Sequence, residues 1–408
     1  MSAPLAHVGD VLAEFADHLG GPWAPTVDSP WAGQSLAQGA AGTALFHSEY
    51  AARGLAGWGH AHQWLQQATA EDLSAEDSTG LYLGATAVAF ALQSVPPART
   101  PLYQDARDTL HRHVLALTHR RADAAALRMA RRQLATFAEY DTFIGLTGIG
   151  AYLLRTAPES SAMERVLDFL VALTKPVDRR TPGWWVDHDP WREHALPGGH
   201  GNFGAAHGIT GPLLLLAQAL RRGHAVAGHA QAIRTICNHL DTWRQDSEKG
   251  PWWPEHITLA DVEAGRPHQR GPGRPSWCYG TPGIARAGQL AGIALHDSAL
   301  QSAYEDALFR CLSDPVQLRT ISDTSLCHGW AGLYQTAFRA AHDSLTLRLH
   351  PLLPALGKLL LARARPGAET GSAGTGLLEG DAGCALALTT LTASTAPATG
   401  WDACLLID

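Results

Sequence analysis

Lysine is almost missing from this chain. Lys175, Lys249 and Lys358 stand against a large arginine excess, a bias that carries no chemistry by itself. Charged residues make up only 17% of the 408 residues and sum to a net −7. That sign argues against nucleic acid as the main partner, since phosphate recognition needs a basic surface. No run of about 18 apolar residues occurs, so nothing is expected to insert across a membrane. The first residues carry neither a basic region nor an apolar signal core. Instead Val8, Val11, Leu12, Phe15 and Leu19 fall at helical spacing, an amphipathic helix interrupted by acids. The protein is therefore expected in the cytosol, where the six cysteines would not form disulfides. Low-complexity linkers are also missing, which favours one closed domain over residues 1–408. A hydrophobic content of 46% fits a globular enzyme with a large core.

What is present is a repeat. Gln38-Gly39-Ala40-Ala41-Gly42 returns as the degenerate Leu83-Gly84-Ala85-Thr86-Ala87, then as Ile144-Gly145-Leu146-Thr147-Gly148 and His207-Gly208-Ile209-Thr210-Gly211. Tyr279-Gly280-Thr281-Pro282-Gly283, His328-Gly329-Trp330-Ala331-Gly332 and Glu379-Gly380-Asp381-Ala382-Gly383 complete seven copies. The step is about 57 residues, enough for two ordinary helices with their connections. Each copy runs into an apolar helical stretch, and Pro212 and Pro282 suit a first helical turn. Seven helical pairs can close into a ring, inner helices around an axis and outer helices behind. Equivalent positions then converge at one end of that axis. The residues before the first glycine are Gln38, Leu83, Ile144, His207, Tyr279, His328 and Glu379, so chemically active types bunch in consecutive copies. If the ring closes, Gln38 and Glu379 should face the same axial cavity.

Two copies carry a cysteine in one further equivalent position, Cys278 in Trp277-Cys278-Tyr279-Gly280 and Cys327 in Leu326-Cys327-His328-Gly329. With His328 they make three of four ligands of a tetrahedral zinc, leaving the open position a catalytic zinc needs. Adjacent Cys327 and His328 could hardly share one metal from mid-helix, where neighbours point about 100° apart. They are expected on a turn into a helix, which the glycines supply. Cys237, Cys311 and Cys384 lie in apolar helical patterns and read as core, while Cys404 carries no motif.

Asp141 stands four residues before Gly145 and suits either a turn cap or a partner for His207. A carboxylate on an imidazole would raise its basicity and fix its tautomer. Arg274 stands four residues before Cys278 and could hold a developing anion. Segments 176–206 and 245–276 are too long and too rich in proline and tryptophan to be helical connections. They are expected to rim the cavity, with Trp184, Trp185, Trp191, Trp252 and Trp253 as bulk. His188, His194 and His200 match no strong zinc spacing and read as polar loop residues. Arg112, Arg120, Arg121, Arg128, Arg131 and Arg132 form a basic stretch, read as a solvated helix face, with a docking face for an acidic peptide as the sharper alternative.

The seven-fold glycine pattern, Ala206-His207-Gly208, Trp277-Cys278-Tyr279-Gly280 and Cys327-His328-Gly329 together resemble the lanthipeptide cyclases, the LanC-like family. The resemblance covers essentially the whole chain in the same order. It implies an all-α fold, an α/α toroid of seven helix pairs with inserted rim loops. It implies an axial Zn2+ held by Cys278, Cys327 and His328, and catalytic His207, Asp141, Arg274 and Tyr279. The chief departure is Ala87, which replaces the second glycine of copy two. The implied activity is addition of peptide cysteine thiols to dehydroalanine or dehydrobutyrine, forming thioether rings. The implied partners are a dehydrated precursor peptide and a lanthipeptide dehydratase.

Elementary chemistry agrees with that reading. Zinc lowers the pKa of a bound thiol, and attack on the β-carbon leaves an enolate that His207 can protonate. Glutathione addition to dehydrated residues would use the same residues. A zinc prenyltransferase would need an Asp/Cys/His set and a basic diphosphate pocket, and a non-catalytic zinc scaffold would not need an acid–base pair.

Overall fold

The computed structural model describes residues 3–22, 32–178, 181–190, 194–367 and 374–408. Trp191 lies outside the described residues. Seven helices, Ala40–Ala52, Ala85–Gln93, Leu146–Thr156, Thr210–Arg221, Thr281–Ala294, Trp330–His342 and Asp381–Ala393, each pack on the next, and the last packs on the first. Their residues are mostly apolar or small, and the first buries every residue from Ala40 to Glu49. That is what a helix surrounded by others requires. Gly59–Ala68, Gln104–Ala130, Ser161–Leu173, His229–Trp243, Ser298–Ser313 and Leu353–Leu361 stand behind the first six. These outer helices bury one stripe only; in His229–Trp243 it is Ala232, Ile233, Ile236, Leu240 and Trp243. The seventh outer position belongs to the N-terminal helix Ala3–His18, packed on Asp381–Ala393. Val8, Val11, Leu12, Phe15 and Leu19 supply its buried face. Among the described residues, no helix is long and apolar enough to cross a membrane.

A backbone girdle ties the turns that precede the inner helices. Leu36 N–H donates to Tyr82 O (3.0 Å), Tyr82 to Phe143 (3.2 Å), and Thr142 to Ala206 (3.0 Å). Ala205 then donates to Cys278 (2.8 Å), Cys278 to Cys327 (3.2 Å), Cys327 to Leu378 (2.9 Å), and Leu378 to Ala37 (3.0 Å), closing the circuit. The glycines exist because each turn folds back onto its helix: a Cβ on Gly332 would stand 1.9 Å from the Leu326 carbonyl oxygen. In copy two Gly84 enters its helix at φ +78, whereas Gly280 and Gly329 do so near −109 and −101. That different entry accommodates Ala87, which is fully buried.

Residues 401–407 fill the interior of the ring, so it is a packed core and not a pore. Tyr82 Oη donates to Cys404 O (2.9 Å), Trp277 Nε1 to Leu405 O (3.0 Å), and Arg286 Nε to Ile407 O (3.0 Å). Arg339 grips the buried Asp402 with two bonds of 2.6 and 2.7 Å. Cys404, without a motif in sequence, is thus part of this plug, and Cys237, Cys311 and Cys384 are buried as their patterns implied.

The two inserted segments differ from a purely irregular rim. They build one antiparallel sheet, β1 (Val186–His188), β2 (Ala195–Asn202) and β3 (His256–Thr258), with His200 opposite Thr258 and Asn202 opposite His256. Trp184, Trp185, Trp252 and Trp253 are buried and anchor the sheet. Trp185 Nε1 donates to Gly198 O (3.0 Å) and Trp253 Nε1 to Leu240 O (2.9 Å). Large aromatic surfaces gain more from burial than from lining a wet mouth. The basic stretch also divides. Arg112, Arg131 and Arg132 are solvated, Arg120 pairs with Asp77, Arg128 pairs with Glu139 at 3.0 Å, and Arg121 is buried.

Burial pushes the imidazoles of His47 and His200 down to about 4. Unfolded, these rings protonate near 6.5. In that interval the unfolded state binds the extra protons, so stability falls as pH falls, by at most about 1.4 kcal/mol per pH unit for each ring. Thermal melts between neutrality and mild acid should show this loss, and His47→Gln and His200→Gln should each flatten it. An unchanged slope in both variants would assign the acid sensitivity to other groups.

Candidate active site

The site is built on the girdle, at the turns of copies three to six. In copies three, five and six the residue four before the first glycine caps its turn in the same way, whereas copy four has Gly204 there and Asn202 Oδ1 accepts from the Gly204 N–H (2.9 Å). Ser276 Oγ accepts from Tyr279 N–H (3.3 Å), and Ser325 Oγ accepts from His328 N–H (3.2 Å). Asp141 occupies the same position, with Oδ1 accepting from Ile144 N–H (2.8 Å) and Gly145 N–H (2.7 Å). These caps hold the backbone in the irregular path that lets neighbouring side chains converge.

Cys278, Cys327 and His328 offer ligand atoms that all lie within 4.8 Å of one another, so the group could hold a metal ion. Cys278 is buried, and Cys327 and His328 are half-buried. The Cys327 thiol, then the His328 imidazole, hydrogen-bond to the Cys278 sulfur and hold it well below the ordinary thiol range. The same bond, together with burial, pushes Cys327 up. Two thiols and an imidazole this close match the soft donor set that tetrahedral zinc takes. His188, His194 and His200 form no such group: His194 is exposed against Asp189, while His200 is buried in the sheet.

On the neighbouring turn, His207 Nδ1 lies 2.7 Å from Asp141 Oδ2. An ionised carboxylate only accepts, so the Nδ1 proton sits on the imidazole. Both readings of Asp141 are therefore correct at once: one oxygen caps the turn and the other orients His207. The pair is nearly excluded from water, at 1% and 8% exposure. Phe143 stacks on the His207 ring (centroids 4.8 Å, 17°), and Phe137 meets it edge-on at 6.0 Å. The Tyr279 ring stands 6.4 Å from His207 and links it to the cysteine pair. Asn202, on β2, donates to Tyr279 Oη at 3.1 Å, and burial raises that phenol above its ordinary range.

Arg274 is not isolated. Its Nη1 lies 3.4 Å from Asp323 Oδ2, which also stands 3.5 Å from His328 Nε2. Asp323, Asn202 and the two caps Ser276 and Ser325 escaped the sequence reading. The serines had a signal, since both cysteine strings read Ser-x-Cys-x-Gly. Asn202 had none, because it reaches Tyr279 across the chain, and Asp323, only five residues before His328, is singled out by its contact with Arg274 from the preceding copy. The polar residues of copies one and seven lie on the same girdle: Glu379 is close enough to act electrostatically on Cys327, and Gln38 is exposed beside Gly376.

Comparison with known proteins places this arrangement. The chain is 24% identical to the nisin biosynthesis protein NisC of Lactococcus lactis subsp. lactis over 326 residues, covering 76% of this chain and 72% of that protein. It superposes on a solved nisin cyclase with a TM-score of 0.78 and 20% identity, covering 98% of this chain and 97% of the other, so the two share the α/α toroid fold. The lanthionine synthetase C-like protein family matches residues 30–406, and the chain belongs to that family.

Proposed function

We propose that this chain is a zinc-dependent lanthipeptide cyclase, one catalytic unit of the cytosol that acts on a dehydrated precursor peptide. The observation that carries the reading is the pairing of a Cys278/Cys327/His328 metal group with an Asp141-oriented His207 on one girdle. Kinship with the nisin cyclases supports it. Zn2+ held by the two cysteines and His328 would keep a substrate thiol ionised near neutral pH.

The residues of the chain supply the rest. The incoming sulfur forms a bond to the β-carbon of a dehydrated residue, and the double-bond pair moves onto the carbonyl as an enolate. His207 keeps its Nδ1 proton on Asp141 and, as the imidazolium that carboxylate stabilises, delivers the second proton from Nε2 to the α-carbon. The proton lost from the thiol replaces it, so the net change is addition of S–H across the double bond. Arg274 and the Tyr279 hydroxyl would stabilise the enolate oxygen. Phe143 and Phe137 hold the His207 ring in plane and keep water from its buried face. A lanthipeptide dehydratase would supply the substrate.

Purified protein with zinc and a peptide containing dehydroalanine and cysteine tests this. Ring closure leaves the peptide mass unchanged while protecting its cysteine from alkylation. A product that still alkylates fully would overturn the cyclase reading, and a mass gain equal to glutathione, when that thiol is supplied, would redirect it.

A further inference from the structure

The charge behind the acid–base pair is Arg121, on the outer helix Gln104–Ala130. It is only 7% exposed, although Arg112, Arg120, Arg131 and Arg132 of the same stretch are exposed. Its guanidinium donates to three backbone carbonyls. Nη1 reaches Thr79 O (2.8 Å) and Ile144 O (2.5 Å), and Nη2 reaches Ala138 O. Ala138 and Ile144 lie three residues to either side of Asp141. Thr79 precedes Gly80, which packs so tightly there that a Cβ on it would stand 2.4 Å from Ile144 O.

The bond to Ile144 O has a specific consequence. That carbonyl and the Gly145 N–H belong to one peptide unit, and the Gly145 N–H donates to Asp141 Oδ1 at 2.7 Å. A cation on the oxygen side polarises the unit and strengthens its N–H as a donor. The Asp141 carboxylate, almost without water, is thus held by a peptide that Arg121 holds in turn. Asp141 and Arg121 are also close enough to attract each other directly.

We propose that Arg121 is a positioning residue for the proton-transfer pair: it clamps the 138–145 turn so that Asp141 Oδ2 is aimed at His207 Nδ1. This rests on the reading of His207 as the proton donor. Only arginine fits, because three carbonyls in different directions need its planar fork, and a lysine ammonium cannot span them. The purely structural alternative, a staple between copies two and three, would lower stability without touching His207.

The two separate in the zinc-loaded full-length protein labelled with 15N-histidine. Arg121→Met should weaken or erase the His207 Nδ1–H resonance, which Asp141→Asn identifies. It should lower kcat about 10- to 100-fold with KM little changed, as for a misplaced catalytic group, while zinc stays at the wild-type ratio. Arg121→Lys keeps the charge and should retain part of both signals, and it carries the test if the methionine variant does not fold. In the Asp141→Asn background the Arg121 effect on kcat should vanish. A folded Arg121 variant with the resonance and kcat intact overturns the proposal, as does an undiminished loss in the Asp141→Asn background. A lost resonance with kcat intact would uphold the clamp and refute His207 as the proton donor.

Discussion

Cys278→Ala combined with Cys327→Ala is expected to remove the metal and all ring formation, while metal analysis of the wild-type protein gives a ratio near one. The three ligand atoms lie within 4.8 Å of one another, on two turns joined directly by the Cys278 N–H to Cys327 O bond of 3.2 Å. Backbone therefore preorganises the group, and removing both sulfurs leaves a single imidazole that cannot hold zinc by itself. Either single variant keeps two ligands and should bind weakly enough to lose metal on dialysis. A metal that binds only the folded chain stabilises it by about 4 kcal/mol at a thousand times its dissociation constant. Chelation should accordingly lower the melting temperature of the wild type and leave that of the double variant unmoved. A full zinc complement in the double alanine variant would refute the ligand assignment.

His207→Ala and Asp141→Asn should do the opposite, keeping zinc and losing rate by about 10²–10⁴-fold, the usual cost of a general acid–base group. Asp141→Asn is the more informative change. Its amide oxygen can still accept from the Ile144 and Gly145 N–H groups, so the turn survives. Its amide nitrogen, or a rotated oxygen that abandons the turn, then has to face His207 Nδ1. Where the amide nitrogen faces the ring, two donors cannot pair, so Nδ1 becomes the acceptor and the imidazole is held neutral with its one proton on Nε2, unable to take up the thiol proton and too weak an acid to deliver its own. Peptide cyclisation rates beside zinc analysis decide the matter. Simultaneous loss of zinc and activity would make the pair structural, because neither residue belongs to the cysteine turns.

Much of this could be read in the chain alone, and for a simple reason. A repeat whose glycine is required by contact with a carbonyl six residues upstream leaves that glycine visible in every copy that uses the contact. Cys278, Cys327 and His328 were legible because they stand in register with it. Asp141 was legible as a candidate but ambiguous, since a cap and a histidine partner call for the same residue, and here it is both.

Other features were decided only in three dimensions. The pairing of segments 176–206 and 245–276 into one sheet depends on hydrogen bonds between strands more than 50 residues apart, for which neither segment carries a signal. Asp323 joins Arg274 and His328 across turns of different copies. Arg121 looked like its neighbours because a helix face gives no sign of which arginine turns inward to meet carbonyls from two other turns. Local sequence determined the turns, the helices and the ligand types; closure of the ring determined which of those turns meet, because only the girdle and the buried 401–407 segment bring distant copies into contact.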